Sequence, residues 1–174
     1  EGADVGIVVD PDVDRLALID ENGEMFGEEY TLVAVADYLL KHKKGVAISN
    51  LSSSRALRDV ARNLDSEYFA SAVGEVNVVT LMKEKNAVIG GEGNGGIIYP
   101  DLHYGRDSLV GVALFLTHLA NENITTSELK NTYPNYTISK NKIDLFVGID
   151  MKKIFNHIQS KYAEQPINTE DGLK

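Results

Sequence analysis

Three aspartates alternate over five residues in Asp10-Pro11-Asp12-Val13-Asp14, and Arg15 follows at once. The run comes directly after a β-branched apolar stretch, Val5 to Val9. In extended backbone alternate side chains share a side, so three carboxylates at this spacing can converge on one hard cation. An all-oxygen donor set suits Mg²⁺, which takes a few carboxylates and keeps positions open for water or a phosphate. The Arg15 guanidinium beside it can neutralise a phosphate held by the same ion. A solvated acidic turn is the plain alternative, and the apolar strands on both sides together with the adjacent arginine speak against it. The run is not an EF-hand loop, because it lacks that loop's glycine at the sixth position and its distal glutamate.

A second group with chemical potential lies in Gly90-Gly91-Glu92-Gly93-Asn94-Gly95-Gly96, where five of seven residues are glycine. Glu92 and Asn94 are its only strong hydrogen-bonding side chains, and a spacing of two puts them on one side of an extended loop. A carboxylate and an amide on a rigid loop suit vicinal sugar hydroxyls, which both donate and accept. A wide connection between strands competes with this reading. A phosphate-binding P-loop is disfavoured, since no Lys-Ser or Lys-Thr follows.

The elements that must position these groups are legible from periodicity. Strands are expected at Val5–Val9, Leu16–Ile19, Val46–Ser49, Tyr68–Ala70, Ala87–Ile89 and Ile97–Tyr99, with a tight turn at Glu21-Asn22-Gly23. Helices are expected over Glu28–His42, Arg55–Asn63, Glu75–Lys85 and Ser108–Ala120, with Ser52 to Ser54 capping the second and Asp107 the last. Thr126 is expected to cap a short helix before Pro134. From residue 25 to 133 helices and strands alternate, which predicts an α/β fold: a mixed, mainly parallel sheet with helices on both faces. Beyond Pro134, Tyr136–Val147 reads as a polar strand and Asp150–Tyr162 as a helix with Ile154, Phe155 and Ile158 turned inward. A domain boundary is placed near 133–139.

Composition narrows the class. The 174 residues carry 17 basic and 26 acidic side chains, a formal net charge of −9. Such a chain is a poor partner for nucleic acid, and no nucleic-acid role is expected. No run approaches the roughly 18 apolar residues of a membrane helix, so no membrane partner is expected. The absence of cysteine excludes a disulfide framework, a thiolate metal site and a cysteine nucleophile. A cytoplasmic location is expected. The chain opens without an initiator methionine on a strand-like segment and stops in what reads as a hairpin or strand, so it is expected to be an internal piece of a longer protein.

Asp10-Pro11-Asp12-Val13-Asp14-Arg15 resembles the metal loop of the α-D-phosphohexomutases, which include phosphoglucomutase, phosphomannomutase and phosphoglucosamine mutase. Gly91-Glu92-Gly93-Asn94-Gly95-Gly96 resembles their sugar-recognition loop, usually Gly-Glu-x-Ser-Gly-His or Gly-Glu-x-Ser-Gly-Gly. Val73-Gly74 lies where that family turns into a helix, and Arg106-Asp107 opens the long helix as in relatives. The resemblance implies residues 1–24 as the end of a second domain with the metal loop, 25–134 as a third domain with the sugar loop, and 135–174 as the start of a fourth. It implies an intramolecular phosphotransferase of the isomerase class, interconverting hexose 1- and 6-phosphates through a phosphoserine outside this chain and a sugar 1,6-bisphosphate intermediate. Glucosamine, mannose or glucose phosphate would be the substrate. Asp10, Asp12 and Asp14 would bind Mg²⁺, Arg15 would hold phosphate or substrate as the catalytic residue, and Glu92 and Asn94 would bind sugar hydroxyls. Without the phosphoserine, the chain by itself is expected to be inactive.

Departures from the family pattern touch detail. Asn94 stands where many members have Ser, and Gly96 replaces a frequent His. Glu75 follows Val73-Gly74 where some relatives place His, and is read as a helix N-terminal charge favourable to the dipole. His103 and Tyr104 are read as loop packing, Lys41, Lys43 and Lys44 as a solvated helix end, and His42, His118 and His157 as surface or core residues. Two other classes compete: a metal-dependent phosphatase with an aspartyl nucleophile, and a non-catalytic sugar-binding module. The first needs a partner Lys and a distal acidic pair that are not apparent, and the second has no use for an acidic triplet.

Overall fold

In the computed structural model, residues 2–139 and 141–173 are described. The strands are β1 (Val5–Val9), β2 (Leu16–Asp20), β3 (Val46–Asn50), β4 (Glu67–Ser71), β5 (Ile89–Glu92) and β6 (Gly96–Ile98). The helices are α1 (Glu28–His42), α2 (Ala56–Asn63), α3 (Glu75–Lys85), α4 (Ser108–Glu122), α5 (Thr126–Asn131) and α6 (Met151–Lys161). The chain divides into one compact unit ending at Thr137 and a second from Ile138 onward.

The main sheet runs β4-β3-β5-β6. β3 pairs parallel with both β4 and β5, and β6 returns antiparallel to β5. This is the mixed, mainly parallel sheet that the alternating pattern predicts. Alternate residues of a strand feed opposite faces, and each face has its own core. Ala47 and Ile97 pack into a large cluster with Leu32, Ala36, Leu57 and Phe115, whereas Ile48 and Ile98 pack with Val78 and Met82 on the other side. Helices α1, α2 and α4 therefore cover one face and α3 the other. Within the larger core, the rings of Phe26 and Phe115 meet edge to face at 5.2 Å.

β1 and β2 form a separate antiparallel pair. Leu16 and Leu18 on β2 are each only 1% exposed and belong to the larger core, so the strand after the aspartate run is anchored against α1 and α4. The turn after β2 is fixed by Asp20, whose Oδ1 accepts from the amides of Asn22 and Glu24. Glu21 in that turn accepts from the Ser127 amide at 3.2 Å and from the Ser127 hydroxyl, tying the turn to α5. The Ser127 hydroxyl is the main cause that holds the Glu21 carboxyl down at about 2, against an ordinary value of 4.5. A depressed carboxylate stabilises the fold above its unfolded value and loses that contribution as pH falls through the folded one. Ser127→Ala is thus expected to lower the melting temperature at pH 7, and the difference should fade between pH about 4.5 and about 2. A gap that persists undiminished at pH 2 would assign the effect to something other than Glu21 ionisation.

Several sequence expectations need correction. Residues Gly90 and Gly91 are strand, not loop: β5 extends through Glu92, and only Gly93–Gly95 make the turn to β6. Glycines weaken the strand signal, yet Gly90 lets the Met82 side chain of α3 pack directly on the strand, and a Cβ there would force that side chain to move. Ser52 to Ser54 do not form the expected cap: α2 starts from Arg55 with no side-chain cap, although Ser54 Oγ accepts from the Ala56 amide at 3.3 Å. The cap of α5 is Thr125 rather than Thr126, in a reciprocal capping box with Glu128. Lys41 and Lys43 are paired rather than merely solvated, with Glu122 at 2.8 Å and Asp101 at 2.6 Å. For His118 the reading as a surface or core residue holds: it lies in the core, and its Nδ1 donates to the Ala34 carbonyl at 3.0 Å.

Tyr136–Val147 contains no strand among the described residues. Tyr136 is instead spent on the first unit, where its amide donates to Tyr30 Oη and its hydroxyl donates to Asp59 of α2. In the second unit α6 is capped by Asp150, which accepts from the Lys153 amide. Ile154 and Phe155 do not turn into a core there: both remain exposed, and none of the helix's residues is buried. Among the described residues no helix is long and apolar enough to cross a membrane.

Candidate active site

The aspartate run folds into a tight loop between β1 and β2. Asp10 organises it: its Oδ1 accepts from the amides of Asp14 and Arg15, each at 3.1 Å, and its Oδ2 accepts from Arg15 Nε at 2.6 Å. Val13 adopts φ +59°, a left-handed conformation that costs a β-branched residue on the order of 1–3 kcal/mol. It is held there by α4, since the Ser108 amide and hydroxyl both donate to the Val13 carbonyl, at 3.2 and 2.8 Å.

The fold brings Asp10, Asp12 and Asp14 together, with one carboxylate oxygen from each lying within 4.8 Å of the others. Burial pushes Asp14 up, beyond what the Arg106 charge takes back, and the nearby Asp10 and Asp12 add to the push. Asp10 is also raised by desolvation, but the Arg15 amide and guanidinium and the Asp14 amide outweigh it and hold it below the usual carboxylate range. Asp14 Oδ1 is buried with no hydrogen-bond partner. Its nearest cationic neighbour is Arg15 Nε at 3.5 Å. A set of mutually repelling carboxylates with one buried oxygen that accepts no hydrogen bond fits a small hard cation, which would relieve the repulsion.

The glycine-rich segment is a β-hairpin whose tip rests on the aspartate loop's own strand. The Leu16 amide donates to the Gly95 carbonyl at 3.0 Å. Gly95 has φ +85°, and a Cβ there would collide with the Leu16 carbonyl oxygen, so this contact requires glycine. The Gly93 amide donates to Ser53 Oγ at 2.9 Å, and Ser53 Oγ in turn donates to Asn50 Oδ1. The serines after β3 therefore brace the hairpin.

Glu92 is 6% exposed. Its Oε1 accepts from Asn50 Nδ2 at 2.7 Å, and its Oε2 accepts from Arg106 Nη1 at 3.0 Å. Asn94 Nδ2 lies 3.5 Å from Glu92 Oε2, so the two side chains do share a side, while Asn94 Oδ1 closes the turn on the Gly96 amide at 3.1 Å. A cavity of about 260 Å³ is lined by Asp10, Arg15, Glu28 and Asn94, with Val8, Val9 and Ala17 as its wall. Arg15 is half exposed at this cleft. Both sequence motifs thus contribute to one concave surface.

Residues 27–136 match the family profile described as phosphoglucomutase/phosphomannomutase, alpha/beta/alpha domain III. The chain belongs to this family. It is 34% identical to the phosphoglucomutase/phosphomannomutase of Thermococcus kodakarensis, over 99% of this chain and 38% of that relative. The chain spans about two-fifths of the length of the curated relatives it matches. Among solved structures, a phosphoglucomutase/phosphomannomutase family protein from Burkholderia thailandensis aligns with a TM-score of 0.78 at 22% identity, covering 99% of this chain and 37% of that one. N-acetylphosphoglucosamine mutase from Aspergillus fumigatus, solved in complex with GlcNAc-6P and magnesium, aligns with a TM-score of 0.62 at 14% identity, covering 96% and 47%.

Four residues beside the candidate site are not singled out as site residues by the sequence: Arg106, Asn50, Ser53 and Glu29. Glu29, in the first turn of α1, accepts from the Ser54 amide at 2.9 Å. Asn50 and Glu92 are the last residues of the parallel strands β3 and β5, and carboxyl ends of parallel strands are where α/β sheets place ligands. That rule could have pointed to Asn50. Arg106 is visible in sequence only as the residue before a helix cap. Glu75 is not simply a dipole residue, because its Oε1 accepts from the Arg106 amide at 3.1 Å. His103 Nε2 lies 3.0 Å from Asp107 Oδ2 and so supports the cap of α4.

Proposed function

We propose that the chain is the middle part of a phosphohexomutase that interconverts hexose 1-phosphate and hexose 6-phosphate. Residues 1–24 would close a second domain, 25–134 form a third, and 135–174 open a fourth. The observation that carries this reading is that Asp10 and Arg15 of the aspartate loop and Asn94 of the hairpin line one cleft, while Arg106 joins Asp14 to Glu92 beside it, within a chain of this family. Neither competing class is favoured. A sugar-binding module has no need of the clustered carboxylates, and an aspartyl phosphatase does not need the hairpin.

Asp10, Asp12 and Asp14 would hold Mg²⁺, which when bound supplies Lewis-acid stabilisation to a transferring phosphoryl group. A phosphoserine from outside these residues would donate that group and take one back, with a sugar 1,6-bisphosphate between the two transfers. Arg15, already oriented through its Nε on Asp10, would present the rest of its guanidinium to the phosphate. Glu92 would accept from sugar hydroxyls and Asn94 would both donate and accept, so the same pair can serve the sugar in either orientation. Support for the metal comes from the buried Asp14 oxygen that accepts no hydrogen bond and from the repelling carboxylates.

The test is turnover of the complete enzyme on glucosamine, mannose and glucose phosphates, with and without EDTA. The expected result is Mg²⁺-dependent interconversion of at least one 1-/6-phosphate pair, with phosphate trapped on serine. The 174-residue chain alone should show none, even with a sugar 1,6-bisphosphate added as primer. Phosphate trapped on an aspartate, with net release of inorganic phosphate, would establish the phosphatase instead.

A further inference from the structure

Arg106 occupies a position that neither motif includes. Its guanidinium reaches three carboxylates on three separate elements: Nη2 contacts Asp14 Oδ2 in the aspartate loop, Nη1 contacts Glu92 Oε2 at 3.0 Å on β5, and Nε lies 3.4 Å from Glu75 Oε2 at the start of α3. Its side chain is only 20% exposed. The backbone fixes it from both sides, since its amide donates to Glu75 Oε1 and the next residue, Asp107, caps α4. Asp14 and Glu92 share no hydrogen bond of their own, so Arg106 is the physical link between them.

We propose that Arg106 is a positioning residue that couples the aspartate loop to the sugar hairpin. By taking Asp14 Oδ2 it leaves Oδ1, which accepts no hydrogen bond and has only Arg15 Nε at 3.5 Å, as the oxygen available to a cation. By taking Glu92 Oε2 it sets the rotamer of the hairpin's carboxylate. Occupation of one loop is then felt at the other through a single rigid fork. The coupling to a cation rests on the metal reading above, whereas the Asp14–Arg106–Glu92 link stands on the contacts themselves. Lysine cannot substitute, because an ammonium is a point charge and does not offer separate nitrogens to three carboxylates.

The 174-residue chain can be tested with Mn²⁺ as the probe, the free ion being counted by electron paramagnetic resonance. Outer partners that orient a metal's ligands are worth about 10–100-fold in affinity. Arg106→Lys should weaken Mn²⁺ binding by that order although it keeps the charge. Glu92→Gln should weaken it by roughly 3–10-fold in the native background and leave it unchanged in the Arg106→Lys background, the signature of coupling through one residue. If Arg106 acted only as a nearby positive charge, Arg106→Lys would bind Mn²⁺ normally and Arg106→Ala more tightly. That pattern, or equal effects of Glu92→Gln in both backgrounds, overturns the proposal. Asp12→Ala keeps the two readings apart: Mn²⁺ binding of native affinity in that variant, or no Mn²⁺ binding by the native chain, sinks the metal assignment. The link is then decided by thermal unfolding of Asp14→Asn, Glu92→Gln and the double variant. Non-additivity of about 2–4 °C that vanishes with Arg106→Lys supports it, and additivity in the native background refutes it.

Discussion

Asp12→Ala in the complete enzyme is expected to remove most phosphoryl transfer while leaving the fold unchanged. Of the three clustered aspartates it is the cleanest to remove. Asp10 is built into the loop, accepting two amides and the Arg15 guanidinium, so its loss would collapse the loop as well as remove a ligand. Asp14 is bound to Arg106 and partly buried. Asp12 is exposed and enters no hydrogen bond or ion pair among the described residues, so alanine loses only a screened attraction to the Arg15 charge. Removing it should even relieve some of the repulsion that helps push Asp14 up. The melting temperature without metal is therefore expected to hold or rise slightly. A cation acting as Lewis acid is worth several kcal/mol to a phosphoryl transition state, so losing its seat predicts a fall in kcat on the order of 10²–10³. Excess Mg²⁺ should restore part of it, because two ligands remain. Initial rates at limiting and saturating Mg²⁺ measure both effects, and unchanged turnover at limiting Mg²⁺ would remove the cluster from the mechanism.

The contrast between what could and could not be read from the sequence follows the range of the interactions. Helices α1 and α3 are set by local periodicity, and their bounds are those expected from the sequence. Asp107 caps α4 as its residue type predicts, and the helix runs two residues further than expected, to Glu122. The glycines of β5 look like loop, and the reason for Gly90, the Met82 side chain packed on it, comes from another helix. Ser53 is a like case: a serine before a helix has cap chemistry, but its hydroxyl is taken by Gly93, 40 residues away. The two motifs were legible because each concentrates its chemistry in a few consecutive residues. Arg106 was not, since nothing local distinguishes an arginine that meets three distant carboxylates from one in solvent.

Glu92→Ala is expected to weaken binding of both the 1-phosphate and the 6-phosphate sugar. The hairpin is a single rigid turn, clamped at Gly95 by Leu16 and at Gly93 by Ser53. If the sugar must present either end to the transferring phosphate, the same carboxylate has to accept from it in both orientations. A hydrogen bond to a charged group contributes roughly 1.5–3 kcal/mol, which predicts about a ten- to hundredfold loss for each ligand. Rates cannot separate the orientations, because kcat/KM in the two directions is tied by the equilibrium constant and must fall together. Direct titration of each sugar phosphate is the deciding measurement, and a loss confined to one of them would refute shared recognition. Alanine carries a second effect that has to be separated. Glu92 is buried and holds Asn50 and Arg106, and leaving such partners unsatisfied costs about 1–3 kcal/mol of stability. Glu92→Gln retains the shape and one acceptor but turns its amide NH₂ toward Asn50 Nδ2 or Arg106 Nη1, both donors, so it should recover only part of that stability while remaining a poorer acceptor for the sugar. A variant that folds like the native chain yet binds both sugar phosphates weakly would place the defect in recognition; recovery of binding along with stability would place it in the scaffold.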